Sequence, residues 1–177
     1  MADRPASFTL AVPPGDDRER LVCDACGHVQ YENPKVVVGS VSTWQGRVLM
    51  AKRAIPPRTG WWTLPAGYLE LGETPEAGAA REAWEEARAR ITLDGLIAVY
   101  SIPRISQVQL IYRGRLSSPA IDIGPESQAV ALYDWGDIPW DALAFPSVRW
   151  ALNHAREIGD AERFAPRGNP PGEMGDY

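Results

Sequence analysis

Little in this chain points toward a membrane, a disulfide scaffold or a nucleic acid. No apolar run approaches the roughly 20 residues that a helix needs to cross a bilayer. The chain has two cysteines in 177 residues. They sit as Cys23-x-x-Cys26, too close together to frame a disulfide-stapled fold. The N-terminus, MADRPASFTLAVPPGDD, has no basic start followed by an apolar core and no cleavage signal. It reads as unprocessed, which makes reduced thiols and a cytoplasmic protein the expectation. Eighteen Lys and Arg against 23 Asp and Glu leave a net charge of −5, the wrong sign for a nucleic-acid surface. A phosphate ligand must then be met by local arginine, lysine and metal, not by the field of the whole molecule. Internal repeats and a second core are also missing. Hydrophobic content of 45% and charged content of 23% are ordinary globular values, and the length suits one domain.

What is present follows a strand–helix–strand plan. Residues 1–20 are polar and rich in Pro and Gly, and read as an extended arm; 21–34 contain a tight cysteine knuckle. Residues 35–42, KVVVGSVS, are β-branched and apolar, a buried strand, and 47–53 return as a second one after Gly46. IPPRTG cannot continue a strand. Residues 61–64 form a short strand leading into the turn Pro65-Ala66-Gly67. Thr74 before Pro75 is a helix start, with Thr as N-cap and Pro at the first position. That helix carries Ala79, Ala80, Ala83, Trp84 and Ala87 on the face that must pack against the sheet, and Gly78 suits a close approach to a strand. Residues 93–102, 107–116 and 128–135 read as strands. Residues 146–158 are an amphipathic helix, and 161–177 a flexible tail. Strands around a central helix, with another helix near the C-terminus, predict an α/β/α sandwich about a mixed sheet.

The concentrated chemistry lies in GYLELGETPEAGAAREAWEEARA, residues 67–89. Glu82, Glu85 and Glu86 share one helix face at i, i+3 and i+4, where carboxylates repel unless a cation neutralises them. Hard divalent cations, Mg²⁺ or Mn²⁺, take oxygen ligands and bridge carboxylates to substrate phosphates. The segment resembles the Nudix box, G-x5-E-x7-R-E-U-x-E-E-x-G-U with U aliphatic. Gly67, Glu73, Arg81, Glu82, Ala83, Glu85, Glu86 and Ala89 fill it. Six fixed Gly, Glu and Arg positions match by chance in a chain this long on the order of 10⁻⁵ of the time. Arg88 replaces the usual glycine. Without a residue suited to a left-handed exit, the helix is expected to run on for a turn.

The resemblance implies a Nudix-type sandwich over 35–160. It also implies hydrolysis of a nucleoside diphosphate linked to another moiety, with ADP-ribose or FAD as first candidates and AMP plus a phosphorylated product released. Hydrolysis of oxidised nucleoside triphosphates and non-catalytic nucleotide sensing stay open as alternatives. Glu82 and Glu86 are the expected principal metal ligands, Glu85 joins a further ion, and the Gly67 carbonyl completes a shell. Glu73 and Arg81 hold these groups in place, and Glu70 is a weaker ligand candidate. Glu126 is the candidate general base. Arg53, Arg58 and Trp62 are candidates for substrate contact. Cys23 and Cys26 resemble the second knuckle of a zinc ribbon found ahead of the Nudix domain in related proteins. A closed zinc site takes four ligands, and no second knuckle lies upstream. The reading is a vestigial turn with free thiols, with zinc shared across a dimer as the alternative. Family resemblance also implies a homodimer that uses the arm.

Overall fold

The computed structural model describes residues 7–175, which divide into two compact units, one ending at Pro34 and one beginning at Lys35. In the first, β1 (Phe8–Ala11), β2 (Arg20–Cys23) and β3 (Val29–Gln30) form an antiparallel sheet in that order. The expected arm is therefore a strand over Phe8–Ala11, paired with β2 from Phe8↔Cys23 to Ala11↔Arg20. The turn between them explains the pairing. Asp16 donates its amide to the Pro13 carbonyl at 3.0 Å, and its carboxylate accepts from the Asp17 and Arg18 amides and from Arg20 Nε. Residues 1–6 of the arm lie outside the described residues.

The second unit is built on a seven-stranded sheet. Its main path is β10 (Ser127–Tyr133), β5 (Arg47–Arg53), β4 (Lys35–Trp44), β9 (Gln107–Leu116) and β8 (Ile91–Ile102). The short strands β6 (Trp62–Thr63) and β7 (Ala66–Tyr68) pair with β5 and β4. β4 and β9 are parallel and the other pairs antiparallel, so the sheet is mixed. Alternation along the strands supplies both faces. On one, Val38 and Leu49 meet Ala79 and Ala87 of helix α1 (Pro75–Ala87). On the other, Val41, Val48 and Met50 join Trp150, Ala151 and Leu152 of helix α2 (Pro146–Ile158). This is the expected sandwich. No helix among the described residues is long and apolar enough to cross a membrane.

Helix α1 begins as its sequence predicts, Thr74 Oγ1 accepting from the Ala77 amide at 3.2 Å. Its other features differ from expectation in two ways. The helix does not run on past its glycine-less exit: it stops at Ala87, and Arg88 itself adopts the left-handed conformation at φ 51°, ψ 21°. The cause is the loop that follows β9. The Asp122 and Gly124 amides bond the Ala87 and Glu86 carbonyls at 3.0 and 3.1 Å, so another turn has no acceptors there to build on. Nor does Trp84 pack on the sheet; it is 41% exposed. The buried face is Gly78, Ala79, Glu82, Ala83, Glu86 and Ala87, which places two glutamates among the alanines. Gly78 does allow the close approach, since a Cβ there would lie 2.9 Å from Val38 Cγ2.

The tail is also ordered where it is described. β8 is an edge strand, with unpaired backbone groups on its outer side, and residues 164–169 satisfy them. Arg167 donates to the Ile97 carbonyl and accepts from the Val99 amide. The Asn169 amide exchanges two hydrogen bonds with the Ser101 backbone at 2.8 and 2.9 Å. Phe164 packs against the core and under the Arg113 guanidinium. Asn169→Ala should speed hydrogen exchange at the Ser101 amide by about fivefold, one hydrogen bond being worth about 1 kcal/mol. Unchanged protection would show that the tail is held elsewhere.

Candidate active site

Strand β7 and helix α1 meet where a side chain is missing. A Cβ on Gly67 would lie 2.3 Å from Glu82 Oε1, so only glycine lets the loop backbone come this close to the carboxylate. Glu82 and Glu86 are 8% and 7% exposed on the sheet-facing side of α1. Glu126 arrives from the loop before β10. The Ala54 amide bonds its carbonyl at 2.8 Å, and Ser127 pairs with Arg53 at the end of β5. The loop can pack on the helix end because Gly124 has no side chain; a Cβ there would meet the Glu85 carbonyl oxygen.

Arg81 ties these pieces together. Its guanidinium grips both Glu73 oxygens at 2.7 and 3.1 Å, reaches Glu82 at 2.7 Å and Glu85 at 3.0 Å, and donates to the Tyr68 carbonyl. Glu73 also accepts the Glu70 amide at 2.8 Å, joining loop to helix as a clamp. These bonds hold the Glu73 carboxyl below its ordinary range, Arg81 being the main cause. Burial works the other way deeper in. It raises the Glu82 carboxyl against the pull of Arg81. It pushes Glu86 up to about 8, helped by the charges of Glu82 and Glu126 and opposed by Arg53. Glu86 Oε2 is buried without a hydrogen-bond partner.

These groups line one end of a cavity of about 800 Å³. Gly67, Glu70, Arg81, Glu82, Glu85, Glu86, Glu126 and Arg53 are all on its wall. Ile102, Ile105, Ile111, Phe145 and Val148 add an apolar wall, and Gln107 and Gln109 of β9 also line the cavity. Arg53 is partly engaged, its Nε bonding the Pro57 carbonyl at 2.8 Å while the guanidinium lies over Phe145. Two sequence candidates for substrate contact are elsewhere. The Arg58 guanidinium lies over the Trp61 ring at 4.8 Å. Trp62 packs edge-on against Tyr133 at 5.1 Å, its β6 register turning it to the core. Sequence reasoning missed the apolar wall from β8, β9 and the start of α2, since no local spacing links these segments. It also missed Arg88, which lines the cavity beside the glutamates.

Residues 33–150 match the family model described as the NUDIX domain. The chain belongs to the Nudix family. Residues 6–32 match a second model, described as Nudix N-terminal. A Nudix hydrolase structure from Nitrosomonas europaea is similar over 95% of this chain and 96% of its own, at 40% identity and a TM-score of 0.87. A MutT-like protein of Streptomyces ambofaciens is 42% identical over 54% of this chain and 60% of its own length. An ADP-ribose pyrophosphatase of Methanocaldococcus jannaschii is 25% identical over 76% of each chain. A solved relative thus matches this chain over 95% of its length.

Nudix enzymes use divalent metals, and the residues here fit one. Two buried carboxylates, one with an unpartnered oxygen, lack a full counter-charge in a site that Arg81 only partly neutralises. Among the described residues no three acidic, thiol or imidazole groups are already gathered around a single point; Arg81 draws Glu82 and Glu85 to itself instead. A closed zinc site fits less well. Cys23 is buried, Cys26 exposed, and both are free. The Ala25 and Cys26 amides lower the Cys23 thiol, as in a metal knuckle. The chain has no third cysteine, and the β1–β2 turn carries Pro13, Pro14, Gly15 and Asp16 in place of a second knuckle.

Proposed function

We propose that this chain hydrolyses the diphosphate bond of a nucleoside diphosphate linked to another moiety, with ADP-ribose or FAD as the first candidates. The observation that carries the reading is the buried Glu82–Glu86 pair, with its unpartnered oxygen and Glu126 alongside, in a large cavity that also has an apolar wall. A diphosphate belongs beside the carboxylates, and a base or flavin ring against the apolar wall. The relative named as an ADP-ribose pyrophosphatase supports the same substrate class.

Glu82, Glu86 and the Gly67 carbonyl would hold Mg²⁺ or Mn²⁺, with Glu85 available to a further ion. When bound, the cation neutralises phosphate charge and lowers the pKa of water. The protein's own groups do the rest. Arg81 and Glu73 position Glu82, and Arg53 faces the phosphates. Glu126 takes the proton of the attacking water. Water adds to one phosphorus, the bond from that phosphorus to the bridging oxygen breaks, and the bridging oxygen leaves on the other phosphate. ADP-ribose would thus give AMP and a ribose phosphate.

Glu126→Gln tests the base. It should lower kcat by roughly 10²–10⁴, the usual share of general-base catalysis, with KM nearly unchanged. An unchanged kcat would remove Glu126 from that role.

A further inference from the structure

The C-terminal end of helix α1 carries a second cluster, two arginines on an exposed tryptophan. Trp84 is 41% exposed there. The guanidinium of Arg88 lies over its ring at 5.6 Å, and that of Arg90 at 5.0 Å. Among the described residues neither arginine has a carboxylate within ion-pair distance, whereas Arg81 has three. The two arginines, Trp84, Ser118 and Asp122 line a pocket of about 300 Å³, at the lower end of the roughly 300–1,000 Å³ range for small-molecule sites. The Asp122 carboxylate accepts the Ile123 amide at 2.8 Å. Ser118 Oγ accepts the Ala120 amide at 3.4 Å, which leaves its own proton to donate.

Arg88 joins this pocket to the larger cavity, since it lines both. Its backbone is held rigidly, the amide bonded to the Ala83 and Trp84 carbonyls in the left-handed conformation, so the side chain springs from a fixed point. Two guanidiniums on one indole repel each other, and an anion that takes hydrogen bonds from both removes that repulsion. The planar fork of arginine matches phosphate bidentately.

We infer that the Trp84–Arg88–Arg90 pocket is a phosphate-binding subsite connected to the active-site cavity through Arg88. The phosphate has two sources: an additional phosphate carried by the substrate, or free phosphate and phosphorylated product. Binding itself does not depend on the proposed hydrolysis; the substrate source rests on that reading.

The direct test is calorimetric titration of inorganic phosphate into the full chain without divalent cation. The expected result is one phosphate per chain, weakened roughly 10- to 100-fold by Arg90→Ala and unaffected by Glu86→Gln. Arg90 is the chosen position because it lines only the smaller pocket. Arg90→Lys, which keeps charge but loses the fork, should be intermediate, and circular dichroism checks that both variants fold. No binding at millimolar phosphate, or binding indifferent to Arg90→Ala, overturns the assignment. KM for ADP-ribose with and without a ribose 2′-phosphate then separates the sources. A preference for the phosphorylated form that Arg90→Ala abolishes assigns the substrate's own phosphate. Inhibition by inorganic phosphate that Arg90→Ala relieves assigns the free anion. Should no substrate turn over at all, the titration still decides the subsite.

Discussion

Glu86→Gln should reduce turnover by roughly 10³-fold, the scale expected when a group that stabilises transition-state charge is removed. The metal-free protein should meanwhile become no less stable. The two effects have one origin. Burial pushes the Glu86 carboxyl up to about 8 from an ordinary value of 4.5, so the fold bears a cost whenever that group is ionised. Between these values the folded chain holds a proton that the unfolded chain releases. Unfolding free energy therefore falls as pH rises through the window, and above 8 the whole cost, at most about 5 kcal/mol, is present. Glutamine cannot ionise, so the variant should show a shallower slope, what remains coming from Glu82, whose carboxyl burial also raises. Glu73 does not confuse the reading: its carboxyl is lowered, so its contribution is lost only on acidification below the ordinary range. Thermal melts of metal-free protein from pH 5 to 8 check the point. A slope identical in wild type and Glu86→Gln would mean that Glu86 is not the buried, cation-seeking group described here.

Gly124→Ala should be the most damaging one-carbon addition to the site. Its Cβ would sit 1.8 Å from the Glu85 carbonyl oxygen and 2.8 Å from the Glu85 carbonyl carbon. Both are backbone atoms of the helix end, so no rotamer change relieves the clash. Either the end of α1 or the loop must move, at a cost of about 3 kcal/mol or more by the usual scale of overpacking. The Gly124 amide bonds the Glu86 carbonyl and Glu126 lies two residues on, so a shift also displaces that carboxylate and lowers turnover. Gly136→Ala is the control, since its Cβ would meet nothing within 4 Å. Urea titration should separate the two variants clearly. A Gly124→Ala protein within about 0.5 kcal/mol of wild type, the range of an ordinary surface change, would show that the loop does not pack on the helix as described.

Much of this arrangement was legible in the residue order, because it rests on local spacing. Thr74-Pro75 marks the helix start, the i, i+3, i+4 glutamates share a face, and Gly67 stands where the loop must approach Glu82. The remainder depends on what is brought close from far along the chain. Arg88 ends its helix because Asp122 and Gly124 occupy the last carbonyls, a fact of tertiary contact that helix propensity does not contain. Trp84 looked like a packing residue beside so many alanines. In the fold, the small side chains of Gly78, Ala79 and Ala83 let the helix sit low on the sheet, and Trp84 falls on the outer side. The tail's composition suggested disorder, yet its backbone completes the edge of β8, and edge pairing draws on main-chain groups that every sequence has. Arg58 and Trp62 were adjacent to the box in sequence and still turned away, one onto Trp61 and one into the core.

The most direct test of the proposed function is turnover of ADP-ribose and FAD, alongside an oxidised nucleoside triphosphate, with and without Mg²⁺ and with Glu86→Gln as control. Products are to be identified by phosphorus NMR. The reading predicts Mg²⁺-dependent release of AMP and a phosphorylated partner from a diphosphate-linked substrate, lost in the variant. Nucleoside monophosphate and pyrophosphate from the triphosphate alone, or nucleotide binding with no cleavage of any of the three, would contradict it.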